Sequence, residues 1–233
     1  MAKSNVFKNV MIPFFTAAYP KSGISWTTKI IAETLDSSIG GSCPSQDSIE
    51  PIAIKRNGRF IIRKGHYKLI NNPKKRLLPS PHTLNIAKLN GEGIIHVIRD
   101  PRDIVVSAAW YHKKPVDRII EDMINGRSYG LPKWDVYIND WLNKLADRAY
   151  FIRYEDLLND PVSILGWCLT VDYDRDRLIT AVENQSFENQ KENDKHRLLR
   201  KGIAGDYKNV LSKRQIEKIN SAFRETMKDW GYL

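Results

Sequence analysis

Three segments of this sequence carry residue types suited to holding an anion. Tyr19-Pro20-Lys21-Ser22-Gly23-Ile24-Ser25-Trp26 follows an apolar run, Val10 to Ala18, and precedes Thr27 to Leu35, where Ile30, Ile31 and Leu35 recur at helical spacing. Strand, tight loop and helix in that order turn backbone N–H groups and the positive helix end toward whatever the loop holds. Gly23 permits a positive φ and close approach of the main chain, and Lys21 adds a mobile positive charge. The chemistry served is the binding of a phosphate or sulfate group. No Gly-Lys-Ser/Thr triplet stands at the Walker spacing. An ordinary strand-to-helix turn built with Pro and Gly has the same local signature.

The second segment is another strand-to-helix junction, Arg99-Asp100-Pro101-Arg102-Asp103, with Ser107 on the second turn of the helix. A guanidinium fork and a hydroxyl at such a junction can both face a phosphate. The plain alternative pairs Arg99 with a carboxylate and bonds Ser107 to its own helix. The third segment, Arg200-Lys201-Gly202-Ile203-Ala204-Gly205-Asp206-Tyr207-Lys208-Asn209, sets two cations beside two glycines. It reads as a flap that closes over an anion, or as a solvated charged surface.

The elements that must position these residues alternate along the chain. Val10 to Ala18, Arg59 to Arg63, Gly93 to Ile98 and Tyr150 to Tyr154 read as strands. Helices are expected over Thr27 to Leu35, from Pro101 to before Pro115, and over Val116 to Asn125, Lys133 to Leu145, Val162 to Leu169 and Asp174 to Val182. A short helix is expected after Ser80, and a last amphipathic one after Ser212, with Ile216, Ile219, Phe223 and Met227 on one face. Asp36 to Pro51, Asn71 to Pro79 and Glu188 to Lys208 read as loops, the last with a poorly covered helix as the alternative. The fold class expected is α/β: a single domain over residues 1–233, with a central parallel sheet flanked by helices. In such sheets ligands bind beyond the carboxyl ends of the strands, where both junction loops lie.

Composition narrows the partners. A length of 233 residues supports one α/β domain, and a formal charge of +10 favours anionic partners: nucleotides, nucleic acid, sulfated glycans or a membrane surface. Cys43 and Cys168 are too few and too far apart for a disulfide framework or a zinc cluster, which points to a reducing compartment. Met1 to Lys8 leads into no secretory apolar core, and no stretch reaches membrane-spanning length. A soluble cytoplasmic protein is expected. A P-loop-type kinase is one alternative, opposed by the missing Walker residues and Mg²⁺-binding Asp. A basic nucleic-acid-binding protein is another, supported by charge but by no recognition motif.

Taken in order, the three segments resemble the cytosolic-type sulfotransferases, over nearly the whole chain from Tyr19 to Ser212. Tyr19 to Trp26 is similar to the family's Tyr-Pro-Lys-Ser-Gly-Thr-Thr-Trp, departing at Ile24 and Ser25. Arg99, Asp103-Ile104-Val105-Val106 and Ser107 fill its second motif, and Arg200 to Asn209 fills its third with Tyr207 in place of Trp. Tyr154-Glu155-Asp156 and Ser186-Phe187-Glu188 resemble further family segments. The resemblance implies 3′-phosphoadenosine 5′-phosphosulfate as donor, adenosine 3′,5′-bisphosphate as product, and no metal. It implies a P-loop-like phosphosulfate-binding loop of Lys21, Ser22, Gly23, Ile24, Ser25 and Trp26, with Trp26 near the adenine. Arg99, Ser107, Arg200, Lys201 and Gly202 would hold the 3′-phosphate, and Tyr154 and Phe187 would line the adenine pocket. Gln185 stands where the family often has Thr, and Ile24 removes a hydroxyl. His66, in Lys64-Gly65-His66, would be the general base, with His82 the competing residue, and Lys21 would neutralise charge on the leaving oxygen.

For partners, the resemblance implies a small-molecule or glycan acceptor, with neither nucleic acid nor membrane. It fixes no oligomeric state. Ser42 to Ile54, Tyr67 to Pro79 and Lys113 to Pro132 are the expected acceptor-side stretches, and Lys74-Lys75-Arg76 favours an acidic acceptor.

Overall fold

The computed structural model describes residues 12–40, 60–76, 83–89, 93–191 and 200–233. Five strands, β1 (Ile12–Ala18), β2 (Ser38–Gly40), β3 (Phe60–Gly65), β6 (Ile94–Ile98) and β7 (Tyr150–Arg153), form one sheet in the order β2-β3-β1-β6-β7. Every bonded neighbour pair in it is parallel. Two short strands, β4 (Lys68–Ile70) and β5 (Thr83–Asn85), pair separately and also in parallel.

β1 is buried on both sides, which is why its sequence is almost continuously apolar. Phe15, Ala17 and Tyr19 face one core layer with α2 (Pro101–His112), α3 (Val116–Ile124), α4 (Trp134–Leu145) and the C-terminal helices α10 (Lys213–Ala222) and α11 (Arg224–Asp229). Phe14 and Ala18 face the other layer with α1 (Ile24–Thr34), α5 (Tyr154–Asn159), α6 (Pro161–Cys168) and α7 (Arg175–Asn184). The expected parallel sheet with helices on both faces is the observed fold.

The chain leaves β1 toward β2 and β3 on one side and returns to β6 and β7 on the other. The carboxyl end of β1 is therefore the point where strand order reverses, and a crevice opens there. The first anion loop follows β1, His66 follows β3, Arg99 follows β6 and Tyr154 follows β7. One sheet edge gathers them all.

Several element boundaries differ from the sequence reading. Ser38–Gly40 is the edge strand β2 rather than loop, paired through backbone from Ser38↔Ile61 to Gly40↔Arg63. Ile39 is its one large apolar side chain, too little to signal a strand. Ser80, Pro81 and His82 lie outside the described residues, and where a helix was expected to continue the chain forms β5 and then a 3₁₀ turn, Ile86–Lys88. β5 pairs with β4 from Lys68↔Thr83 to Ile70↔Asn85. β7 stops at Arg153, and Tyr154 opens α5. The last helix breaks at Phe223 (φ −124, ψ 21) into α10 and α11. The polar stretch read as loop, or as a poorly covered helix, overlaps α8 (Phe187–Lys191) at its start and the single turn α9 (Tyr207–Val210) at its end. No helix among the described residues is long and apolar enough to cross a membrane.

Candidate active site

At the carboxyl edge of the sheet lies a cavity of about 330 Å³. Its wall contains Lys21, Gly23, Ile24, Ser25 and Trp26 from the first segment, Arg99 and Ser107 from the second, and Arg200, Lys201 and Gly202 from the third. His66, Tyr154 and Phe187 complete the residues the sequence nominated. Ser22 is the exception. It is fully buried and off the cavity wall, and its Oγ meets no partner among the described residues.

The local geometry of the first loop follows from two left-handed residues, Lys21 (φ 68) and Gly23 (φ 87). Gly23 is the N-cap of α1, which has no side-chain cap and no acidic residue in its first turn. The positive end of an 11-residue helix thus stays uncompensated by side chains and borders the cavity. A Cβ on Gly23 would stand 2.4 Å from the Tyr154 ring, and one on Gly202 would stand 2.5 Å from Phe187. Both glycines are required by close approach to the two aromatic rings of the wall. Trp26 meets Tyr154 edge-on at 6.1 Å and donates Nε1–H to the Gln185 carbonyl at 2.8 Å. The Gln185 side chain turns away to donate to Glu33 at 2.8 Å and is not on the cavity wall.

Arg99 ties the three segments together. Its Nη1 donates to the Lys21 carbonyl at 3.1 Å, its Nη2 donates to the Ile203 carbonyl at 3.3 Å, and the guanidinium lies 4.2 Å from the centre of the Tyr154 ring. Each Nη carries a second N–H beyond the one given to these carbonyls, so the fork retains donor capacity. Below it, Asp103 accepts the backbone N–H groups of Gly205 (2.6 Å) and Tyr207 (2.9 Å), which fastens the flap to the first turn of α2.

The flap cations have an internal counter-ion. Asp206, whose side chain is wholly buried, accepts from Arg200 Nη1 at 2.5 Å, Lys201 Nζ at 2.9 Å and Asn209 Nδ2 at 3.2 Å. Burial pushes its carboxyl up, but the bonds from Lys201, Arg200 and Asn209 outweigh it and hold the group down at about 2, against an ordinary 3.8. The pairing therefore stabilises the fold fully above pH about 3.8 and loses that contribution as pH falls through about 2. Asp206→Asn is expected to be less stable at neutral pH and to lose less on acidification. Thermal unfolding followed across that window checks it; parallel pH profiles for the two proteins would contradict it.

His66 Nδ1 lies 2.6 Å from the Ala18 carbonyl oxygen. A carbonyl only accepts, so in the neutral ring the hydrogen sits on Nδ1 and the lone pair on Nε2. Lys64, two residues earlier, reaches Ser25 Oγ at 3.5 Å, and Lys21 Nζ lies over the Tyr111 ring at 3.9 Å from its centre. The remaining wall residues, none given an individual role from sequence, are Pro20, Tyr111, Tyr129, Leu158 and Ile203. Tyr111 stands four residues after Ser107 on α2, a spacing that puts both on one helix face and could have revealed it. Tyr129, in the expected acceptor-side stretch Lys113 to Pro132, sits in a 3₁₀ turn with φ 56 and bonds His112 through its hydroxyl. Ser42 to Ile54 lies outside the described residues. Tyr67, at the start of another expected acceptor stretch, belongs to the core.

Among the described residues no group of three or more His, Cys, Asp or Glu side chains is arranged to hold a metal ion. His96, which the sequence reading passed over, is fully buried; burial, reinforced by His66, lowers its pKa to about 3, so it is a neutral core residue.

Comparison with known proteins gives a consistent result. Residues 12–231 match the family model described as Sulfotransferase domain. The chain is 25% identical to the amine sulfotransferase of Oryctolagus cuniculus over 249 aligned positions, covering 93% of this chain and 81% of that protein. It is 26% identical to Sulfotransferase 2A1 of Homo sapiens, covering 91% and 82%. Among solved structures, mouse sulfotransferase SULT7A1 complexed with PAP shares the fold with a TM-score of 0.71 at 21% identity, covering 94% of this chain and 85% of that one. Retinol dehydratase in complex with androsterone and inactive cofactor PAP superposes with a TM-score of 0.66 at 17% identity, covering 93% and 81%.

Proposed function

From the premise that this chain belongs to the sulfotransferase domain family, we propose that it transfers a sulfuryl group from 3′-phosphoadenosine 5′-phosphosulfate to a hydroxyl or amine of a small-molecule acceptor. The observation that carries the reading is convergence: three cationic segments distant in sequence line one cavity, and a histidine stands in the same wall. The donor, when bound, supplies the sulfuryl group and leaves as adenosine 3′,5′-bisphosphate (PAP).

The chain's own residues divide the work by position. The first-loop amides at the uncapped start of α1, with Ser25, would hold the 5′-phosphosulfate end. Ile24 contributes its backbone there rather than a hydroxyl, which a helix N-terminus permits. Arg99, Ser107, Arg200, Lys201 and Gly202 would hold the 3′-phosphate. Arg200 has further N–H donors beyond the one given to Asp206, so pairing and phosphate binding are compatible. Trp26, Tyr154 and Phe187 offer apolar rings to the adenine.

His66 would take the acceptor's proton at Nε2, the nitrogen left with a lone pair by the bond to Ala18. Lys21 would move from the Tyr111 ring to the leaving oxygen, and Lys64 adds a second cation beside Ser25. The acceptor would then enter past Tyr111 and Tyr129, the wall residues nearest in kind to a flat apolar substrate. A small-molecule acceptor fits retinol dehydratase, a fold neighbour solved in complex with androsterone and, separately, with retinol. A cytoplasmic setting completes the reading; Cys168 there stays a thiol whose pKa burial pushes up to about 12.

The test is incubation with the donor and a panel of phenols, steroids, amines and a glycan. PAP release stoichiometric with a sulfated product is expected for at least one small molecule. Donor hydrolysis unlinked to any product would contradict the reading, as would magnesium-dependent turnover of ATP.

A further inference from the structure

The Ala18 carbonyl that fixes the His66 tautomer is itself held from a second side. Ala18 ends β1, one residue beyond the last β1–β3 register pair, Ala17↔Gly65. On the β3 side its oxygen therefore has no strand partner and is left to side chains. It accepts from His66 Nδ1 at 2.6 Å and from the Tyr137 hydroxyl at 3.2 Å. A carbonyl oxygen has two lone pairs and accommodates both donors.

Tyr137 is 2% exposed, and its ring is wedged edge-on against Tyr19 at 5.5 Å and tilted against His96 at 5.6 Å. The hydroxyl has little freedom to move elsewhere. One turn further along α4, Trp141 Nε1 donates to the carbonyl of Tyr67 at 3.1 Å. Tyr67 directly follows His66. Residues four apart share a helix face, so one face of α4 grips both the acceptor of the imidazole N–H and the main chain that carries the imidazole onward.

We propose that Tyr137 is a positioning residue for the His66 base, acting through the Ala18 carbonyl. This rests on His66 being the base. The hydroxyl orients the Ala18 peptide so that its oxygen faces Nδ1, which keeps the lone pair on Nε2. Without it the peptide and the imidazole both gain freedom, and the tautomer with the hydrogen on Nε2 becomes populated.

Tyr137→Phe keeps the ring and removes only the hydroxyl. In full-length protein labelled with ¹⁵N histidine, the Nδ1 and Nε2 shifts of His66 report its tautomer directly, without turnover. The expected result is a smaller Nδ1–H fraction, a kcat lowered about three- to tenfold, and unchanged affinity for PAP. An unchanged His66 spectrum would overturn the proposal, and so would a changed spectrum with wild-type kcat. Loss of PAP binding together with altered thermal unfolding would mean that the hydroxyl acts in folding, and would overturn it too. Wild-type turnover in His66→Ala would instead sink the base assignment; the Tyr137→Phe spectrum distinguishes the two failures.

Discussion

His66→Ala is expected to lower kcat by about 10²–10⁴-fold, the usual contribution of a positioned general base, while leaving PAP affinity at its wild-type value. The separation follows from position. His66 borders the cavity but bonds the protein through Ala18, whereas the cations nominated for the phosphates come from other segments. Truncation removes a proton acceptor and leaves the first loop, Arg99 and the flap in place. His66→Gln is the companion variant, because an amide can donate to Ala18 but cannot take the acceptor's proton at neutral pH. Equal loss in both variants supports base catalysis. Recovery in His66→Gln would mean that the ring only shapes the wall.

Lys21→Ala is the second large effect expected, a fall in kcat of about 10²–10³-fold, as when one preorganised group facing developing charge is removed. The backbone of this residue does not depend on its side chain. Arg99 holds the Lys21 carbonyl at 3.1 Å, and the left-handed φ of 68 is one that an alanine tolerates no worse than a lysine. The side chain is engaged elsewhere, over Tyr111 at 3.9 Å. The variant therefore reports a missing charge rather than a collapsed loop. Single-turnover rates with saturating donor measure it; a rate within fivefold of wild type would remove Lys21 from the chemistry and leave Lys64 as the cation beside Ser25.

The parts of this site that were legible in the sequence are those fixed by local pattern. The β1–loop–α1 unit could be read because an apolar run, a Pro-Lys-Ser-Gly turn and a helical repeat adjoin one another. The same holds for β6, Arg99 and α2. What escaped depends on contacts between distant segments. β5 pairs with β4, and three residues, Thr83-Leu84-Asn85, are too short a run for alternation to signal a strand. Asp206 was in view six residues from Arg200, but its burial beneath both flap cations is a property of the folded loop. Ser22 had the right neighbours and the wrong direction. Its hydroxyl points into the core because the left-handed residues on either side turn the intervening residue inward. Tyr111 was recoverable from its spacing to Ser107. Tyr137 was not, since its hydroxyl meets β1 across 119 positions of sequence.

The family assignment and the cavity meet in one claim, that this edge of the sheet binds adenosine 3′,5′-bisphosphate. Calorimetric titration of the full chain with that nucleotide tests it most directly, with ATP as the control ligand and Arg200→Ala as the control protein. The account predicts micromolar or tighter binding to the wild type, weakened about ten- to a hundredfold in Arg200→Ala by loss of a charged hydrogen-bond donor, and no comparable heat with ATP. Absence of binding, or equal affinity for ATP and for the bisphosphate, would contradict it.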